Sequence, residues 1–289
     1  MGHIVRIDRS TRRLVARQRA FVTLRHIVLA FWCLAALYPV IWTFLNSFRD
    51  NNQIYADPFS LPGPIIWKNF ARAFQGAHLA ITIPNSLIYA ALTVVATVFL
   101  AAMTAFYLSK FTKTGTMLYT YFIIGIMVPA QALLIPLFVT MRNMGLLNSR
   151  LGIIIVYIVT NLSFAIFVLT GFMRKGIPDD LIEAAVIDGC GPIRVFLSIA
   201  FPLTRSGIAT VGTFVFLGVW NEFLFALVML ANPLLRTLNL SVFMLRGQYS
   251  SDQGLMAAGA VVLIAPAILM YALFQEQVVK GLTAGAVKG

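Results

Sequence analysis

Acidic side chains are scarce in this chain. Its 289 residues include ten Asp and Glu against 22 Lys and Arg, and charged residues make up only 11% of the whole. A soluble domain is about one quarter charged, so this chain lacks the polar surface to sit in water. Histidine is nearly absent: His3, His26 and His78 are scattered, with no HExxH or GxSxG, which excludes a spaced zinc pair or a nucleophile elbow. The two cysteines give neither a disulfide framework nor zinc spacing, since Cys33 lies in an apolar run and Cys190 in a charged loop. The Gly-four-Gly-Lys-Ser/Thr phosphate loop is also missing, so no cofactor is expected on this chain.

What the chain has is apolar length. A bilayer core about 30 Å thick takes roughly 20 apolar residues of helix. Six stretches qualify, at about 27–48, 85–108, 117–141, 151–173, 207–230 and 255–279. A lipid-exposed backbone must satisfy its own hydrogen bonds, so the expected fold class is an all-α membrane protein with six transmembrane helices. The first run, Ile27 to Leu45, is 19 residues long. It exceeds a signal-peptide core of about 7–15 residues and reads as an uncleaved span.

Seven arginines precede that run. A basic stretch abutting an apolar one anchors at anionic lipid headgroups and points away from nucleic acid. With the N-terminus inside, inner segments hold 15 Lys and Arg and outer segments 7, which predicts both termini in the cytoplasm. The expected organisation is a basic segment over 1–25, a membrane domain over 26–279 with a cytoplasmic loop at 174–206, and a tail over 280–289. The long outer segment 49–84 has room for a short helix on the membrane surface.

The cytoplasmic loop gathers Asp179, Asp180, Glu183 and Asp188, four of the ten acids. Pro178 ends the preceding helix and suits the start of another. Asp180 with Glu183 three residues on resembles a capping box. Gly189 stands where a left-handed residue ends a helix. Gly191-Pro192 makes a turn, "IRVFLSI" forms a second short helix, and Pro202 marks entry to the next span. The small Ala184 and Ala185, ringed by apolar residues, suit a groove on another protein. They equally suit a surface helix packed on its own bundle.

Glu183-Ala184-Ala185, three residues, Gly189, nine residues, then Ile199 and Pro202 resembles the loop motif of binding-protein-dependent ABC transporter permeases. "WKNF" (67–70), "NSL" (85–87), "VPAQALLIPLF" (128–138), "WNEFL" (220–224) and "GLTAGAVKG" (281–289) place the resemblance in the carbohydrate-uptake branch, near the smaller maltose-type permease subunit. Cys190 departs from the alanine or other small residue usual there. The resemblance implies a type I ABC importer permease fold. It also implies a transport role without enzyme activity, in a bacterial cytoplasmic membrane, for a carbohydrate expected to be a di- or oligosaccharide. The implied partners are a second permease subunit, two cytoplasmic ATPase subunits that bind the ATP, and an extracytoplasmic solute-binding protein. It makes Glu183, Ala184, Ala185, Asp188, Gly189, Ile199 and Pro202 the ATPase-coupling loop, with Glu183 facing a basic residue of the ATPase. A purely capping Glu183 is the alternative.

Four further groups stand out. Glu222 lies deep in the predicted fifth span, where a charge costs at least about 2.5 kcal/mol. With Trp220 and Asn221 it reads either as a wall of the solute path or as a brace between helices. Gln131, between Pro129 and Pro136, marks a bend that either lines that path or is purely architectural. Asn161 and Ser163 are expected to bond neighbouring helices. By resemblance, Gly281, Thr283 and Lys288 belong to a tail tucked between the ATPase subunits, and Gln248 and Tyr249 to an outer loop reaching the binding protein. A loose end and a solvated turn are the plain alternatives. An ion-coupled secondary transporter is the rival function, but no inverted repeat supports it.

Overall fold

The structure is a computed structural model and describes residues 9–110, 112–248 and 252–286. The described residues form only helices, turns and connecting segments. In order they are α1 (Arg9–Asn46), α2 (Asn51–Ala56), α3 (Lys68–Gly76), α4 (Leu79–Lys110), α5 (Thr112–Met127), α6 (Leu134–Asn143), α7 (Arg150–Gly176), α8 (Asp179–Ile187), α9 (Pro192–Val195), α10 (Phe201–Leu203), α11 (Arg205–Asn221), α12 (Leu224–Met229), α13 (Leu238–Gln248) and α14 (Gln253–Ala286).

Four helices carry an unbroken apolar stretch long enough to cross a membrane: Gln18–Asn46, Leu79–Lys110, Arg150–Gly176 and Gln253–Glu276. Two bent pairs raise the total to six if each pair makes one span. One pair is the predicted third span; the other joins Pro192–Leu203, expected in the loop 174–206, to Arg205–Asn221 at the start of the predicted fifth. The predicted third span turns by 88° between Gly115–Met127 and Ala130–Asn143. The break falls at Pro129, which caps a short 3₁₀ turn. Pro136 is the third residue of α6, where a missing N–H removes no helical bond, so it bends nothing. The predicted fifth span ends early, because α11 stops at Asn221 and Glu222 is extended (φ −67°, ψ 136°).

The core centres on α4 and α7, which pack along their length, with α11 and α5 against them. The contact surfaces are small: Ala90, Ala101, Ala102 and Ala105 on α4, and Gly152 and Ala165 on α7, are buried. Small residues let helix backbones approach where lipid provides no hydrophobic drive. Lys110 touches Ile177 at one end, and Asn85 touches Arg150 at the other, so α4 and α7 run parallel.

The segment after α1 is organised by a residue that reads in the sequence merely as an outer charge. Arg49 is buried, and its guanidinium donates to Asn46 Oδ1, Ser60 Oγ and the carbonyls of Gln53, Asp57 and Pro58. It folds 49–60 around itself. Asn69 on α3 donates to the carbonyls of Ser47 and Arg49. Gly254 then brings α14 so close that a Cβ would overlap the Arg49 carbonyl. The anticipated short outer helix is thus two, α2 and α3.

Candidate functional site

α7 ends at Gly176, and Pro178, with φ −59° and ψ 141°, turns the chain into α8. No side chain caps the start of α8, so the anticipated capping box does not form. Pro178 occupies the cap position, and Asp179 and Asp180 are already helical and face the positive end of the helix dipole. Gly189 does end the helix, at φ +78°. Its N–H reaches Val186 O at 3.0 Å, and the Cys190 N–H reaches Ala185 O at 2.9 Å, which together make a Schellman turn.

From Pro192 the chain runs back along α8 as α9, a π turn over Phe196–Ala200, and α10. The π turn bonds Phe201 N to Phe196 O. The corner at Thr204 swings the chain 77° into α11. There Thr204 Oγ1 bonds Ala200 O at 2.7 Å. The turn into α11 therefore comes two residues after Pro202. Ala185 is buried in the same cluster as Val195 and Phe196, with Ile182, Cys190 and Ile199 partly buried against it.

What this hairpin leaves outside matters more. Ile187 is 85% and Ile193 75% exposed, and Ala184, Val186 and Asp188 are exposed beside them. The acids sort in the same way. Asp50 caps α2, Asp57 accepts from Phe59 N, Glu222 accepts three bonds, Asp252 pairs with Arg72, and Asp179 pairs with Lys110. Among the described residues, the acids with no hydrogen bond or ion pair inside the chain are Asp180, Glu183 and Asp188, all at α8 or its C-cap.

The other end of α4 and α7 is bound internally. Glu222 Oε2 accepts from the Tyr157 hydroxyl at 2.8 Å and from Ala226 N at 3.2 Å, and Oε1 accepts from Phe225 N at 2.7 Å. The carboxylate thus ties α7 to the first turn of α12. Trp220 does not share its surface. It is 3% exposed, stacked on Phe216, and packed among α3, α13 and α14, so its ring has no open face for a sugar in this conformation. Asn221 is exposed and bonds Leu217 O one turn back. Gln131 is exposed on the 3₁₀ turn at the bend. Asn161 bonds Tyr157 O of its own helix rather than a neighbouring one. Ser163 lies against Gly125 of α5, where a Cβ would meet its Oγ at 2.6 Å.

Several site-forming residues have roles that the sequence does not show, although Asn85 and Ser86 belong to the "NSL" motif. Asn85 Nδ2 holds Leu234 O and Arg236 O, Ser86 Oγ accepts from Leu238 N, and the Tyr89 hydroxyl donates to Leu235 O. The "NSL" element therefore anchors the 231–238 segment to α4. Asn239 Nδ2 reaches the Asn221 carbonyl at 3.0 Å, steadying the break beside Glu222. Tyr157 is a polar residue in an apolar run and its partner lies 65 residues away, while Asn239 stands between Thr237 and Ser241 with its partner 18 residues back. Gln248 ends α13, and Gly281 and Thr283 lie on α14, which continues to Ala286 through most of the expected tail. Tyr249 and Lys288 lie outside the described residues.

Residues 94–281 match the family described as binding-protein-dependent transport system inner membrane component. The chain belongs to that family. It is 32% identical over 280 residues to the diacetylchitobiose uptake system permease protein NgcG of Streptomyces coelicolor, covering 96% of this chain and 92% of the relative. It is 34% identical over 257 residues to the trehalose transport system permease protein SugB of Mycobacterium tuberculosis, covering 88% and 93%. The crystal structure of a bacterial ABC transporter that imports the acidic polysaccharide alginate superposes with a TM-score of 0.77 at 23% identity, over 90% of this chain and 97% of that one. The fold is thus that of a type I ABC importer permease, and the chain is a multi-pass membrane protein. The family match runs from the middle of α4 into α14, so it takes in the α8 hairpin, both bends and Glu222.

Proposed function

We propose that the chain is the six-span permease subunit of a bacterial carbohydrate importer driven by ATP. In this reading both termini and the α8 hairpin face the cytoplasm, as the bias of Lys and Arg favours. The partners are a second permease subunit, two ATPase subunits and an extracytoplasmic solute-binding protein. The substrate class is a di- or oligosaccharide, in keeping with relatives named for diacetylchitobiose, trehalose and starch degradation products.

One observation carries the reading: among the described residues, the acids unbonded within the chain lie together on a hairpin that leaves Ile187 and Ile193 largely exposed. Fully burying an exposed Ile stabilises by about 1.5–3 kcal/mol, and Ile187 and Ile193 offer that area to a partner. Glu183, Asp180 and Asp188 then select a basic rim around the apolar contact. A helix packed only on its own bundle would turn this face inward. Closure of the ATPase pair moves α8, and the attached α7 and α11 tilt the spans between inward-open and outward-open states.

An ion-coupled transporter requires a coupling-ion site, and the inverted repeat that frames one in many such transporters is not seen in the sequence. Glu222, the sole acid within the predicted fifth span, already accepts bonds from Tyr157, Phe225 and Ala226. The test is to co-express the chain with its ATPase, second permease and binding protein, and to reconstitute the complex in liposomes. ATP-dependent uptake, with hydrolysis stimulated by the loaded binding protein across a sugar panel, is the expected result. Uptake driven by an ion gradient without ATP overturns the proposal.

A further inference from the structure

In the sequence Lys110 is one of the basic residues that orient the chain. In the structure it is the last residue of α4, its side chain is only 8% exposed, and its ammonium is committed. Nζ donates to Ile177 O at 2.7 Å and pairs with Asp179 Oδ1 at 2.5 Å. Arg174 answers from α7: its guanidinium donates to Leu108 O at 3.4 Å and lies 4.6 Å over the Tyr119 ring of α5. Each of the parallel helices α4 and α7 thus caps the other's C-terminus. Two negative dipole ends meet there, and a cation is favoured between them.

The two bonds of Lys110 are unequal. Asp179 is 80% exposed, so solvent screens that pair and it contributes little. The bond to the Ile177 carbonyl is the one that holds. Ile177 is buried and is the joint between α7 and α8. Lys110 therefore grips the hinge of the hairpin rather than the hairpin itself.

We propose that Lys110 is a positioning residue for coupling, joining α4 to the α7–α8 hinge so that displacement of α8 also draws α4. This rests on the permease function proposed above. Along the chain, α8 connects to α7 through Ile177 and to α11 through the Thr204 corner. No covalent joint of comparable length leads from α8 to α4. Yet α4 is the helix on which α7, α11 and α5 all pack. Without the ammonium, a push on α8 reaches α4 only by way of its neighbours, through the apolar surfaces of α7 and α11, the Arg174 bond to Leu108 O at 3.4 Å and the distant Arg150–Asn85 contact.

The test uses the whole complex in liposomes, with solute moved per ATP hydrolysed as the readout. Lys110→Met keeps the apolar stem and removes the donors. It is expected to keep the ATPase co-purifying and stimulated by the binding protein while solute per ATP falls by about fivefold or more, the lower end of ordinary coupling energies. Lys110→Arg, which keeps donors at that position, is expected to recover most of the yield. Asp179→Asn is expected to stay near wild type. Wild-type yield from Lys110→Met overturns the role. So does loss that tracks the thermal midpoint and ATPase retention and is not recovered by arginine, since that is a merely structural cap. A wild-type complex without ATP-dependent uptake instead overturns the permease assignment, and this role with it.

Discussion

Gly189→Val tests whether the turn after α8 has to hold its shape. At φ +78° a β-branched residue meets backbone strain of about 1–2 kcal/mol. No atom lies within 4 Å of a Cβ built there, so strain is the whole penalty and crowding adds nothing. The Schellman bonds from Gly189 N and Cys190 N depend on that φ. A shift of about 1–2 kcal/mol lowers the ratio of correctly turned to other hairpin conformations about 5–30-fold. That is too little to unfold packed spans. Gly191, two residues on, has φ −70° and equally open space, so Gly191→Ala is the matched control, and Gly189→Asn is the variant that tolerates the left-handed region. The assay is sugar uptake together with subunit level in the membrane. Uptake should drop for Val, recover in part for Asn and stay level for Gly191→Ala, all at equal membrane level. Wild-type uptake by Gly189→Val would falsify the reasoning that the turn is part of a docked surface.

Glu183→Ala is expected to weaken ATPase retention in pull-down by about 1.5–3 kcal/mol, the range for a charged hydrogen bond, and Glu183→Lys to weaken it further; equal retention by all three versions sinks the pairing. Gly254→Ala should lower the stability of the detergent-extracted protein by about 1–3 kcal/mol, because its methyl overlaps the Arg49 carbonyl and lies 2.7 Å from Asn69 Nδ2; an unchanged thermal midpoint refutes the close approach. Glu222→Gln should keep transport at a small loss of stability, since its amide oxygen still accepts from Tyr157 and Ala226 while its NH₂ loses the bond from Phe225 N, whereas Glu222→Ala strands three donors and should destabilise by about 1–3 kcal/mol. Transport lost in Glu222→Gln at unchanged stability would return Glu222 to the solute path.

Helix content and the α8 hairpin were legible because they rest on local signals. Apolar length gives the spans, and Pro178, Gly189 and Pro192 punctuate the loop at short range. The breaks were less legible. Pro129 and Pro136 carry the same letter, and only the register of α6 makes one a bend and the other harmless. Glu222 reads as a costly charge in a helix centre because the sequence does not show that the helix stops at Asn221. The carboxylate is affordable there since it caps α12 and meets Tyr157, 65 residues away along the chain. The organising role of Arg49 is invisible in the sequence for a similar reason. Its charge is solvated by carbonyls of the loop it folds, and nothing in the sequence marks that loop as its solvent.

The distribution of unpaired polarity separates the two ends of the bundle mechanically. Around Asn85, Tyr89, Tyr157, Glu222 and Asn239 the polar side chains bond groups within the chain, and moving any one of them breaks bonds made by another. That end resists local deformation and moves as a body. At the α8 end, Lys110 holds the Ile177 carbonyl and Arg174 the Leu108 carbonyl, while Asp180, Glu183 and Asp188 are unbonded within the chain. The hinge is therefore stiff and the surface beyond it is open. A stiff hinge matters because α4 has 32 residues, about 48 Å at 1.5 Å per residue. Play of a few ångströms where α8 meets α4 would be absorbed before any tilt reached the Glu222 end. In the coupling role proposed for Lys110, a small movement of α8 becomes a rotation of α4 and α7 together, and the bonded far end follows rather than yields.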